Sequence, residues 1–379
     1  MFVTEKPALA DALALVAGIV KAKSKFPILA NVLIERDGDA LTARCSNFNL
    51  EIATRFAATI GEEFLPFTVE AQRFADIVKA APEDRIAVNV IHQDGVMAAI
   101  TVNSGRSRLK LPVLPASDFP KLDAGNLPHR ISLNAPTLQK VLKAVEYAAE
   151  TNQAKYYICG VSLQPDATGL VAVATDGRRL AKRLIPANEF DQDDLAGIPP
   201  VIVPSETVDQ IIKLLEGRDD VTAEWSGEKI RVELSDTVLT SKLIDGQFPQ
   251  WQLIQPDPAC ITAQFSGKAL SEALGRMLLV TPDAGNGILF DFANGALSLR
   301  ARDIAAGEGE DEIAAEADGE IRSGFHGRHL REAIAHHDGD SFELLIGKGA
   351  APALLRQTGD TSDYTILMPM QVKGMLVNG

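Results

Sequence analysis

LVAVATDGRRLAKRLI, from Leu170 to Ile185, alternates apolar and small residues up to a Thr175-Asp176-Gly177 turn and resumes as a strand at Arg178. Two other stretches have the same form, ALTARCSNFNLEIATRF (Ala40 to Phe56) and ALSLRARDIAAGEGEDEI (Ala296 to Ile313). Their turn markers Asn47, Asp176 and Asp303 lie 129 and 127 residues apart in a chain of 379. The chain therefore reads as three copies of one unit, and a repeat of this length sets the architecture ahead of any single element.

Each unit carries two helical stretches in the same order. The first set is Lys6–Val20, Asn134–Glu150 and Ser266–Val280, with apolar stripes such as Leu9/Leu13/Val16 and Leu270/Leu274/Met277. The second set is Glu70–Ala81, Ser205–Glu216 and Arg328–His336. Between them lie runs such as VLIERDGDALTAR and GILFDFANGALSL, whose Asp, Asn and Gly turns predict antiparallel hairpins. The fold class expected is α+β, two helices covering antiparallel sheet in each unit. Linkers around Asp123-Ala124-Gly125 and Asp257-Pro258 give boundaries at 1–125, 126–256 and 257–379, the last with a short C-terminal extension.

Hydrophobic residues make up 46 % of the chain and mean hydropathy is near zero, as in an ordinary globular protein. Ala8–Val20 is too short to span a bilayer and lacks the flanks of a signal peptide, so no membrane attachment is expected. Cys45, Cys159 and Cys260 have no CxxC spacing and read as reduced thiols of a cytoplasmic protein. The net charge of −14 argues against tight nucleic-acid binding, but it is unevenly placed. The six helical segments with their flanks hold 16 Lys and Arg against 14 Asp and Glu, leaving 21 against 37 elsewhere.

Four motifs in this order and spacing, FPILANVLIE (Phe26–Glu35), VATDGRRLA (Val173–Ala181), LIDGQFPQWQLIQP (Leu243–Pro256) and LMPM (Leu367–Met370), make the full length resemble the bacterial sliding clamp, the beta subunit of DNA polymerase III. SGRSRLKLPVLPASDFPKL (Ser104–Leu122) is similar to the end of that family's first domain. The resemblance implies a ring-forming head-to-tail homodimer of three-domain subunits, with helices lining a hole for duplex DNA. It implies a processivity factor for DNA replication that binds DNA without reading sequence, and no catalysis or cofactor. Implied partners are the polymerase III alpha subunit, the clamp loader and other proteins carrying a clamp-binding segment.

Carried over by motif, the partner-peptide pocket comprises Thr175, Gly177, Arg179, Leu180, Pro249, Ile254, Ile366, Met368, Pro369 and Met370. Methionines suit a site that accepts several ligands. Met375 and Leu376 in the tail stand close enough in sequence to fold over those walls. DNA-facing candidates are Lys21, Lys23 and Lys25, Arg73, and Gln153, Lys155 and Tyr156. The dimer interface is assigned to Arg106, Arg108, Leu109 and Leu111, facing Leu278, Leu279 and an acidic loop from Glu308 to Glu312. Alternation places Leu109 and Leu111 on one face and the two arginines on the other.

Enzyme readings lack a constellation. His326-x-x-His329 with His336-His337 has no further ligand at metal spacing, and GKGAAP at Gly347 is not a phosphate-binding loop. Two alternatives stay open: a clamp paralogue serving a mobile element or repair pathway, and an enzyme on a repeated α+β scaffold.

Overall fold

The computed structural model describes the chain apart from residues 21–24, 191–194, 196, 255, 257–258, 282–286, 304–305 and 373–379. Three times over, a strand and a helix are followed by a group of strands, a second helix and three closing strands. The first copy runs β1 (Phe2–Glu5), α1 (Lys6–Ala17), β2 (Asn31–Asp37), β3 (Ala40–Ser46), β4 (Leu50–Phe56) and a short β5 (Thr59–Ile60). It continues with β6 (Phe67–Glu70), α2 (Ala71–Lys79), β7 (Arg85–Gln93), β8 (Val96–Ser104) and β9 (Ser107–Pro115). The second has β10 (His129–Asn134), α3 (Ala135–Glu146), β11 (Gly160–Asp166), β12 (Gly169–Thr175) and β13 (Arg179–Pro186). It ends with β14 (Val201–Pro204), α4 (Ser205–Leu214), β15 (Asp220–Trp225), β16 (Lys229–Glu233) and β17 (Thr237–Lys242). The third has β18 (Ile261–Ser266), α5 (Gly267–Met277), β19 (Gly287–Ala293), β20 (Ala296–Asp303) and β21 (Gly307–Ala317). Last come β22 (Ile321–His326), α6 (Gly327–Ala335), β23 (Ser341–Ile346), β24 (Ala353–Gln357) and β25 (Tyr364–Leu367).

The helices follow from local chemistry. Pro7 sits in the first turn of α1, where a missing N–H costs nothing, and Leu9, Leu13 and Val16 are fully buried. Glu70 caps α2 by accepting the Arg73 amide at 2.8 Å. The predicted Asn134–Glu150 helix is shorter in the structure because the chain tightens, Ala148 and Ala149 bonding back to Val145 and Glu146 rather than one residue further. In the third copy, Leu270, Ala273, Leu274 and Met277 of α5 meet Leu330, Ala333 and Ile334 of α6 over Phe265, Phe290, Phe292, Phe325 and Phe342.

Packing divides the chain into two units, Met1–Pro136 with Asp209–Leu243 and Thr137–Val208 with Ile244–Gly379. The first holds a 13-stranded sheet ordered β10-β15-β16-β17-β4-β3-β2-β6-β9-β8-β7-β1-β5. The second holds a 12-stranded sheet ordered β14-β11-β12-β13-β25-β24-β23-β18-β21-β20-β19-β22. The middle copy is split because each half of its strands continues a neighbour's sheet. In the first unit β17 pairs antiparallel with β4, Leu239 opposite Ile52 and Ser241 opposite Leu50. In the second β25 pairs with β13, Ile366 opposite Leu180 and Leu367 opposite Arg179. Both joints pair the last strand of one copy with the fourth of the copy before it. The correspondence reaches single hydrogen bonds: Lys242 N–H donates to Asn49 O at 2.8 Å, as Met368 N–H donates to Arg178 O at 2.8 Å.

Candidate partner-binding site

The organising turn is held from within. Asp176 Oδ1 accepts the amides of Arg178 at 2.8 Å and Arg179 at 2.9 Å, and Thr175 Oγ1 accepts that of Gly177 at 3.1 Å. Gly177 has φ +84°, and nothing stands within 4 Å of where its Cβ would be, so the surface beside it is open. The terminal segment crosses this turn and is pinned again by Met370 N–H donating to Gly324 O at 2.8 Å. A Cβ at Gly324 would lie 2.2 Å from Met370 O, so only glycine allows that approach.

Arg178, His326, His329, Leu367, Met368, Pro369 and Met370 enclose a cavity of about 380 Å³. Its lining is mostly apolar with a few polar groups, the usual makeup of a site for a short ligand. The two histidines stack with ring centroids 3.8 Å apart, and His326 Nδ1 accepts the His329 amide at 3.3 Å as the cap of α6. Burial, with the Arg178 and Arg179 charges, holds His326 below its usual range. Burial and the neighbouring His326 bring His329 down to about 4. Both rings are therefore neutral at pH 7 and present flat, uncharged faces.

Met368, Pro369 and Met370 of the expected pocket thus come together, with Gly177 beside them. Leu180, Ile366 and Ile254 instead join Val171, Val173 and Trp251 in a neighbouring apolar cluster. Pro249 stands in the segment that leads into it, its carbonyl accepting the Trp251 amide at 2.8 Å. Thr175 is buried and serves the turn. Arg179 is engaged within the chain. Its guanidinium pairs with Asp176 at 3.1 Å and with Glu332, and donates to Tyr147 O at 2.6 Å, so it braces the turn. The exposed guanidinium at the cavity is Arg178. Arg178, His326 and His329 were missed as pocket residues, although the His-x-x-His spacing at the start of a helix was visible. Met375 and Leu376 lie outside the described residues.

These histidines predict a pH effect. His337, half-buried and beside Arg183, is brought down to about 3 by desolvation and that charge. Unfolded histidines titrate near 6.5, so below that pH the unfolded chain holds more protons than the folded one. Stability is then full above about pH 6.5 and is lost as pH falls toward 4. The urea midpoint should drop between pH 7 and pH 4.5, and His329→Gln with His337→Gln should flatten part of that drop. An unchanged slope in the double variant would refute the assignment.

Of the DNA-facing candidates, Lys21 and Lys23 lie outside the described residues, while Lys25 and Gln153 are exposed. Arg73 projects from α2, close to Glu70 at 3.8 Å. Lys155 is partly neutralised by Glu150 at 3.0 Å, whose carboxyl is held low by the Asn152 amide and by Lys155 itself. Tyr156 is 53 % exposed and meets Tyr157 edge to face at 5.9 Å.

The interface candidates need two corrections. Leu111 is only 3 % exposed, whereas Leu109 on the same face is 44 % exposed. Alternation assigned the face but not the depth, and Leu111 belongs to the subunit's own core. The acidic stretch is strand β21, not a loop: Glu308 pairs with Arg302 and Glu310 with Arg300, each at 2.8 Å, and Asp311 with Arg276 at 2.7 Å. Arg106 occupies the turn before β9, Arg108 points outward from it, and Leu278 and Leu279 close α5 with Leu279 77 % exposed.

Three family models match in succession, the N-terminal domain of the DNA polymerase III beta subunit over residues 1–123, its central domain over 132–250 and its C-terminal domain over 254–371. A beta sliding clamp of Caulobacter vibrioides is 30 % identical over 97 % of this chain and 99 % of its own. One of Pseudomonas putida is 28 % identical over 98 % and 100 %. Among solved structures, a Caulobacter crescentus beta sliding clamp with polyethylene glycol bound superposes with a TM-score of 0.92 at 29 % identity, covering 98 % of each chain. A Bartonella birtlesii sliding clamp bound to griselimycin gives 0.90 at 30 %, covering 98 % of this chain and 100 % of that one. With three matching domains, repeated topology and relatives aligned end to end, the chain belongs to the DNA polymerase III beta-subunit family, the bacterial beta sliding clamps.

Proposed function

We propose that two copies of this chain close into a ring around duplex DNA and tether DNA-processing proteins through the Met368–Met370 cleft. The observation that carries this reading is a joint left over. Two of three equivalent joints are made within the chain, β17 to β4 and β25 to β13. The third would pair β9 with β21, and among the described residues neither has a strand on its outer side over 107–112 or 307–313. Transferring the β17–β4 register sets Leu109 opposite Gly309, Lys110 opposite Glu308 and Arg108 opposite Glu310 of a second copy. Cations then meet anions on one face while Leu109 approaches the α5 end and Leu279 on the other. Two such joints close a ring of six repeats. Light scattering should give twice the 40.6 kDa chain mass; a monomer at micromolar concentration would overturn the ring.

In this reading the three domains are 1–125, 126–256 and 257–379, the chain acts in the cytoplasm, and it catalyses nothing itself. Retention by topology lets phosphate contacts stay weak, which suits a chain of net charge −14. Lys21, Lys23 and Lys25, with Arg73, Gln153 and Tyr156, supply the mobile contacts. Replacing the three lysines with alanine should lower the salt dependence of duplex contact by about one unit of log–log slope per lysine and leave the dimer intact. Tight binding of linear duplex at physiological salt that survived the change would contradict weak contact.

A further inference from the structure

In the first repeat, the position of Gly177 is taken by Phe48. The correspondence is close: Asn47 Oδ1 accepts the amides of Asn49 at 3.1 Å and Leu50 at 2.9 Å, and Phe48 N–H donates to Ser46 Oγ at 3.4 Å. The backbone has the same left-handed form, φ +72° against +84° at Gly177. A bulky aromatic is poorly suited to that conformation, and strain of this kind concentrates where a side chain's direction matters. Here it turns Phe48 outward. Its ring is 43 % exposed and meets Phe26, 56 % exposed, edge to face at 5.7 Å. Lysines flank the pair. Lys25 precedes Phe26 and is exposed, and Lys242 Nζ reaches Asn49 Oδ1, next to Phe48, at 3.3 Å.

We propose that Phe26 and Phe48, with Lys25 and Lys242, form a stacking shelf for unpaired bases of single-stranded DNA. The inference rests on the reading that DNA passes through the ring, since that brings strand ends and gaps to this surface. The geometry favours bases over a peptide. At Gly177 the surface is open beside a cavity, so a side chain can insert; at Phe48 a ring fills the corresponding place and stands proud, offering faces rather than a hole. Bases of any sequence have π faces that stack on aromatic rings, and flanking ammonium groups suit the phosphates between them. Such contact is independent of sequence, as a sliding protein requires.

The test is titration of the full-length dimer, without a loader, into oligothymidylate carrying one 2-aminopurine, read by anisotropy and by quenching of the base. Phe48→Gly suits the left-handed backbone, so the fold is retained and loss of binding is not loss of structure. Each ring removed, in Phe48→Gly and in Phe26→Ala, should weaken binding roughly five-fold or more and reduce quenching. Lys242→Ala should weaken binding without abolishing quenching. Affinity and quenching unchanged in Phe48→Gly would overturn the shelf. Loss of a partner peptide's affinity in Phe48→Gly, with the oligonucleotide unaffected, would overturn it in favour of protein docking. Quenching that depends on both rings, in a chain that nonetheless fails to stay on circular DNA, would uphold the shelf and refute the ring.

Discussion

Arg108→Glu with Lys110→Glu should turn the dimer into a folded monomer, and Glu308→Lys with Glu310→Lys in the same chain should restore it. In the proposed joint the two cations lie opposite Glu310 and Glu308, so reversing them puts four carboxylates along one strand pair. The wild-type attraction is modest, because Arg300 and Arg302 already pair with those glutamates and exposed ion pairs contribute little. The same arginines and solvent screen the reversed strand, so each attraction of up to about 1 kcal/mol is lost and replaced by a repulsion of similar size. At about 1 kcal/mol for each reversed pair, with two pairs in each of two joints, dimer dissociation should rise roughly several hundredfold. Leu109→Asp should act in the same direction by placing a carboxylate against the apolar end of α5 and Leu279. Leu111→Asp should unfold the subunit, since Leu111 is core. Light scattering with circular dichroism separates the cases. A persistent dimer in the Arg108/Lys110 variant would put the interface elsewhere.

The second large effect concerns the cleft. Met368→Ala with Met370→Ala should weaken a partner peptide by roughly 30-fold or more, taking about 1–2 kcal/mol for each methionine side chain truncated at the ligand surface. Met368 is 40 % exposed and lines the cavity with Met370, so both can bury surface against a ligand without repacking the core. Arg178→Ala should reduce affinity for peptides carrying a carboxylate, with little effect on stability. Arg179→Ala should lower stability, because it leaves Asp176 and Glu332 without their shared cation. Calorimetric titration and urea unfolding on the same variants would distinguish ligand binding from turn bracing. Equal peptide affinity in the double methionine variant would remove the cleft from the account.

Much of the fold was legible because its signals are periodic. Asn47, Asp176 and Asp303 mark the turns, and stripes such as Leu9/Leu13/Val16 place the helices, although helix ends depend on capping that the stripe does not contain. Depth was less legible. Leu109 and Leu111 alternate alike, yet only the packed sheet puts one at a free edge and the other in the core. The acidic stretch lacked strand character in its sequence because Gly307 and Gly309 supply no apolar alternation; its strand exists because β20 offers Arg300 and Arg302 across the ladder. Arg178 and Arg179 are adjacent in a tight turn, and which faces the cavity depends on Tyr147 and Glu332, far away in sequence. His326 and His329 suggested a metal spacing or nothing, whereas in the structure one caps a helix and the pair forms a wall.

The central claim is topological retention, and one measurement addresses it. The dimer is loaded by a clamp loader onto nicked circular DNA, freed of unbound protein, and the circle is then cut once. Protein should co-migrate with the circle through gel filtration and leave within seconds to minutes of linearisation, at salt that abolishes direct duplex binding. Protein that stays on the linear product, or never outlasts salt on the circle, would show that attraction and not enclosure holds it, and would contradict the ring.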